Sequence, residues 1–99
     1  MYLVVFRNRK RAGFDQARYL ADTERMEALA AQQPGYLSFK SFTADDGEVV
    51  AISEWVSRDA AKAWRAVADH ADVQTRGRSE YYPEYAVITC EDPGIHRWP

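Results

Sequence analysis

Four short stretches of the chain are rich in apolar, aromatic and β-branched residues, and in two longer ones apolar residues recur at helical spacing. Tyr2 to Asn8 is rich in aromatic and β-branched residues and predicts a strand, which Gly13 closes. From Phe14 to Gln33 the composition is helix-forming, and Tyr19, Thr23, Met26, Leu29 and Ala30 recur at steps of three and four on one face. Pro34-Gly35 ends that helix. Tyr36 to Thr43 predicts a second strand, Asp45-Asp46-Gly47 a hairpin turn, and Glu48 to Val56 a third strand paired antiparallel with the second. Ser57 fits an N-cap, and Asp59 complements the dipole of a second helix. The inner face of that helix is expected to carry Ala60, Ala63, Trp64, Val67 and Ala71, with an end before Gly77. Glu84 to Glu91 predicts the last strand, stopped by Pro93-Gly94.

The order is therefore β-α-β-β-α-β. It implies an α+β, ferredoxin-like sandwich in which two helices cover one face of a four-stranded antiparallel sheet. The expected domain spans residues 1–92, and residues 93–99 form a C-terminal tail. Side chains alternate along a strand, so Leu3 and Val5 oppose Tyr2, Val4 and Phe6. Val50, Ile52 and Val56 oppose Val49, Ala51 and Trp55; Ala86, Ile88 and Cys90 oppose Tyr85 and Val87. Both faces are apolar, and two helices cover only one. The other would be a large exposed patch, which predicts a homodimer docked sheet to sheet. Val49 and Ala51 are expected on the docking surface.

Composition narrows the function. The chain has 99 residues, 46% hydrophobic and 28% charged, enough for one domain with a thin core. A net charge of −2 argues against a phosphate-backbone binder, and the third strand, EVVAISEW, lacks the basic-aromatic consensus of an RNA-recognition motif. No nucleic-acid partner is expected. Arg7, Arg9, Lys10 and Arg11 form the one basic cluster, read as a solvated loop after the first strand, or else as a rim for an anionic ligand. No apolar run reaches membrane-spanning length and no signal-peptide layout opens the chain, so a cytoplasmic protein is expected. Cys90 is the lone cysteine and His70 and His96 the only histidines, so no intrachain disulfide, structural zinc site or metal motif is expected.

The segment SEWVSRDAAKAWRAVADHADVQTRGRSEYYPEY holds the candidate site. On a helix His70 falls about 60° from Val67 and Gln74 about 80° from Trp64. Trp64, His70 and Gln74 would then border one pocket between helix and sheet. Arg76, Arg78, Tyr81 and Tyr82 would form its wall or lid.

PGYLSFKSF, ISEWVSRDAAKAW and DHADVQTRGRSEYYPEY, in this element order, resemble the antibiotic biosynthesis monooxygenase-like (ABM) family of dimeric α+β barrels. The resemblance implies a homodimer with one pocket per subunit. Some members are similar to quinol-forming oxygenases that oxidise polycyclic phenols or anthrones with dioxygen, using neither metal nor flavin. A protein of that kind holds its aromatic substrate, assists proton transfer and stabilises an oxyanion. Carried onto this chain, the resemblance makes His70 the base and Asn8 or Arg78 the group that polarises a carbonyl. Trp64, Gln74, Tyr81, Trp55 and Phe6 complete the expected substrate-binding set. A non-catalytic small-molecule-binding dimer is the alternative. Haem-degrading relatives resemble one another in a strand asparagine, a helix tryptophan and a haem-ligating histidine ten residues later. Asn8 and Trp64 match, but the tenth residue after Trp64 is Gln74, a poor axial ligand, so haem is disfavoured and no cofactor is expected.

Overall fold

A computed structural model describes residues 1–70 and 81–99, including every side chain among them but those of Asp69 and His70. Among the described residues, four strands and two helices follow the expected order: β1 (Tyr2–Arg9), α1 (Gln16–Ala31), β2 (Tyr36–Thr43), β3 (Val49–Trp55), α2 (Arg58–His70) and β4 (Glu84–Glu91). The sheet is antiparallel throughout, in the order β2-β3-β1-β4. The central strand β1 opposes Phe6 to Ala51 on one side and to Val87 on the other.

Local chemistry sets the element ends. Asp15 caps α1 by accepting the Arg18 N–H at 3.0 Å, so the helix starts after Phe14 rather than at it. Ser57 Oγ accepts the Ala60 N–H at 3.1 Å and opens α2 as expected. The β2–β3 hairpin turns through Gly47, whose φ of +90° is left-handed. Asp46 Oδ1 accepts the Glu48 N–H across this turn at 3.0 Å. Gly35, also left-handed at φ +84°, lets the start of β2 pass close to α2. A Cβ there would stand 2.6 Å from the Ala60 Cβ and 2.8 Å from Val56 Cγ2.

The core is small. Ala30, Trp55 and Ala61 are buried together, with Tyr2, Val4, Tyr36, Ala60 and Trp64 packed around them. Trp55 is wholly inaccessible; its indole N–H donates to Ser53 Oγ at 3.0 Å, so the one polar atom it buries is paired.

Three sequence expectations change. The inner face of α2 carries Ala61, Trp64 and Ala68, whereas Ala63 and Val67 are exposed. The alanines at 60, 61, 63, 66 and 68 spread around the helix and leave its facing undetermined by pattern alone. Val49 and Ala51 border the cavity beneath the helices, so they do not belong to the open face of the sheet. That face instead presents Leu3, Val5, Val50, Ile52 and Ile88, which share the opposite alternation. Finally, Arg7 and Arg9 lie in β1 and grip the hairpin rather than forming a solvated loop. Arg7 makes a forked contact with Glu48 at 3.0 Å, and Arg9 meets Asp46 Oδ2 at 2.9 Å. The end of α2 expected before Gly77 lies outside the described residues.

Candidate functional site

Between the helices and the sheet lies a cavity of about 400 Å³, of a size suited to a small organic ligand. Its floor is the inner row of β1: Tyr2, Val4, Phe6 and Asn8. These four alternate positions point one way because the strand period is two. Short side chains on β3, Ala51 and Ser53, keep the space open, while Met26 of α1 and Trp64 of α2 close it from above. Trp64 is held flat against buried Trp55, ring centroids 6.0 Å apart and planes 19° from parallel. The walls are mostly apolar and aromatic.

One end of the cavity is polar. Asn8 is 4% exposed and Asp22 7%. The Tyr81 hydroxyl donates to Asp22 Oδ2 at 2.6 Å, and Tyr81 is itself buried. Tyr19 meets Tyr81 edge to face at 5.2 Å, and Tyr82 meets Phe6 likewise at 5.4 Å. Burial pushes the Tyr82 phenol well above its ordinary range, and neighbouring Tyr19 adds to the shift. It therefore stays neutral through the physiological range. Lys10 stands behind this end: its ammonium donates to Asn8 Oδ1 and lies 4.4 Å from the Tyr19 ring centroid and 4.8 Å from that of Tyr82. The backbone ties the same corner together, because the Arg11 N–H donates to the Tyr81 carbonyl at 2.6 Å.

Of the residues expected from sequence, Asn8, Phe6, Trp64 and Tyr81 line this one cavity. Trp55 does not; it is the buried support on which Trp64 rests. Gln74 and Arg78 lie outside the described residues. His70 is the last described residue of α2, and its side chain lies outside the description. Val67, about 60° from His70 on the helix, is exposed, so the apolar stripe that sets this flank does not face the cavity at Val67. Three residues were missed by sequence reasoning. Asp22 shares the α1 face of Tyr19 and Met26, and a carboxylate on an apolar stripe was the available signal. Tyr19 fits the packing face of α1 in the sequence and lines the cavity in the structure. Lys10 was hidden in the basic cluster. Among the described residues, no group of histidine, cysteine, aspartate or glutamate side chains is arranged to hold a metal ion.

An aromatic cavity with a polar end, roofed by two helices on a four-stranded antiparallel sheet, defines a ferredoxin-like domain with a ligand-sized cavity. Residues 1–76 match the antibiotic biosynthesis monooxygenase family, and the chain belongs to that family. It is 38% identical over 86 residues to the uncharacterized protein YqjZ of Bacillus subtilis, covering 87% of this chain and 74% of that one. Among solved structures it is similar to Rv0793 of Mycobacterium tuberculosis (TM-score 0.81, 18% identity, covering 97% of this chain and 98% of that one). It is also similar to SnoaB of Streptomyces nogalater, a cofactor-independent oxygenase (TM-score 0.72, 21% identity, 93% and 94% covered). At these identities the likeness to the solved structures establishes the fold.

Proposed function

We propose that the chain is a monooxygenase that oxidises an aromatic or polyketide-like phenol or enol with dioxygen and uses no resident cofactor. The observation that carries this reading is the cavity itself: aromatic walls of Phe6 and Trp64 running to a polar end built on Asn8, Asp22 and Tyr81. Family membership supports it, as does the fold shared with a cofactor-independent oxygenase. In the proposed reaction a methylene beside the ring system becomes a carbonyl. One oxygen atom of dioxygen enters the product, the other leaves as water, and the substrate supplies all four electrons. The protein binds the planar substrate, takes up a proton and stabilises the resulting oxyanion. Asn8 and Arg78 are the proposed oxyanion partners, His70 the proposed base, and Trp64, Phe6, Tyr81 and Gln74 the binding surface.

The proposed assembly is a homodimer joined through the open sheet face, since Phe42 and Ile88 stand half exposed there beside Val50 and Ile52. The proposed setting is cytoplasmic, in keeping with the exposed free thiol of Cys90. Among the described residues no helix is long and apolar enough to cross a membrane.

Oxygen uptake with anthrone, in the presence of a chelator, tests the reaction. One dioxygen consumed per quinone formed, with one labelled oxygen atom in the product, is the expected result. Substrate binding without oxygen uptake would favour a passive binder. A saturable shift in haem absorbance at one haem per subunit would move haem chemistry to the front.

A further inference from the structure

We infer that Lys10 is a positioning residue that fixes the Asn8 side-chain amide with its N–H pair turned toward the cavity, making that end a subsite for an anionic or carbonyl oxygen of the ligand. The inference rests on the chemistry of the two groups. A lysine ammonium only donates hydrogen bonds, and of the two ends of an asparagine amide only the oxygen accepts. The atom of Asn8 that faces Lys10 is therefore Oδ1, as the contact between them records. The amide is planar, so Nδ2 must face the other way. Asn8 is 4% exposed and borders the cavity, and its Nδ2 donates to no described residue. No buried side-chain nitrogen or oxygen among the described residues lacks a partner, so Nδ2 opens onto the cavity rather than being sealed in protein.

Lys10 is itself held in place. Its ammonium rests against the faces of Tyr19 and Tyr82, and no described carboxylate pairs with it. Among the described residues at this end, Asp22 is a carboxylate that accepts from Tyr81, and Tyr82 stays a neutral phenol. The Lys10 ammonium thus stands behind an amide donor without lining the cavity, while the Asp22 carboxylate, tied to Tyr81, lines the same end. The pair of Lys10 and Asn8 favours a phenolate or enolate oxygen over the parent hydroxyl. This deepens the reading above by naming the ionised form of the substrate that the site selects. It does not depend on the oxygen chemistry.

The experiment is an ultraviolet titration of 1-naphthol bound to the protein, which reports the fraction of bound phenolate as pH changes. Wild-type protein should ionise bound 1-naphthol about tenfold more readily than water does, a shift of about one pKa unit. Lys10→Met should abolish the gain and Lys10→Arg should restore most of it. The decisive variant is the double one. If Lys10 acts through the amide, Lys10→Met added to Asn8→Leu changes nothing further; if the two act independently, their effects multiply. Asn8→Ala replaces Asn8→Leu should the latter fail to fold. Multiplying effects, no shift in the wild type, or no binding of 1-naphthol would each overturn the inference. Oxygen uptake with anthrone is scored separately, so a protein that ionises naphthol but consumes no oxygen would sink the oxygenase reading and leave this one standing.

Discussion

The indole of Trp64 lies nearly parallel to that of Trp55, their centroids 6.0 Å apart, so a residue on the cavity wall is braced by one in the centre of the core. Tyr36 braces Trp55 in turn, edge to face at 5.8 Å. Trp64→Ala should therefore lose stability as well as ligand binding, by about 3–5 kcal/mol in urea unfolding. Trp64→Phe should keep most of the stability. Loss of binding from Trp64→Ala with unchanged stability would show that the stack contributes nothing to the fold.

Gly35→Ala should be costly. The backbone there is left-handed, and the added methyl would meet Ala60 and Val56 inside contact distance. Strain and crowding together predict a loss of about 2–4 kcal/mol, read as a lower unfolding midpoint. Gly13→Ala, with a positive φ but open space around it, should cost only the conformational part.

Ile52→Asp tests the open sheet face. Ile52 faces away from the helices beside Val5 and Val50, so the charge would stand in the middle of the proposed dimer contact. Sedimentation should show monomers or aggregates, with dimerisation weakened at least about tenfold. The same charge at Ala51 would enter the cavity instead and should reduce ligand binding with the dimer intact.

Alkaline titration should separate Tyr82 from the other tyrosines. Burial, then Tyr19, raises its folded pKa above the unfolded value. A raised pKa gives stability that is complete below the unfolded pKa and is lost as pH climbs toward the folded one. Tyrosine absorbance should show a late-ionising group that Tyr82→Phe removes, and the variant should lose less stability than wild type above about pH 10. Identical alkaline curves would contradict this.

Asp46 predicts the opposite dependence at the acid end. Its carboxyl is held below the ordinary range, first by the Glu48 N–H it accepts and then by Arg9. Its contribution is present at neutral pH and lost as pH falls through the folded pKa. The melting-temperature gap between wild type and Asp46→Ala should thus be widest near neutrality and close in acid.

The element order was legible because the strand segments are short runs rich in aromatic and β-branched residues, the helix segments are longer and helix-forming in composition, and the breaks carry Gly, Pro or a capping side chain. Ser57 and the Asp45-Asp46-Gly47 turn stand where their chemistry places them. Two facings were not legible. The second helix has alanine on every side, so only its packing partners select Ala61, Trp64 and Ala68. The sheet is apolar on both faces, and the bulk of Val50 and Ile52 does not say which face the helices take. At the site, Asn8 and Trp64 were recognisable by position. Asp22 and Lys10 were not, because a carboxylate on α1 acquires meaning only when Tyr81 is brought to it from a distant part of the chain, and a lysine in a basic run only when Tyr19 and Tyr82 hold it against Asn8.

Strand β1 runs down the middle of the sheet and alternates between the cavity floor, at Tyr2, Val4, Phe6 and Asn8, and the open face, at Leu3 and Val5. Inserting or deleting one residue before Val4 would exchange the two rows at a stroke. Point substitutions can retune either surface by itself, but the reading frame of the strand belongs to both. The two surfaces can therefore be changed separately by replacing side chains in β1, whereas a change in the strand's length alters both together.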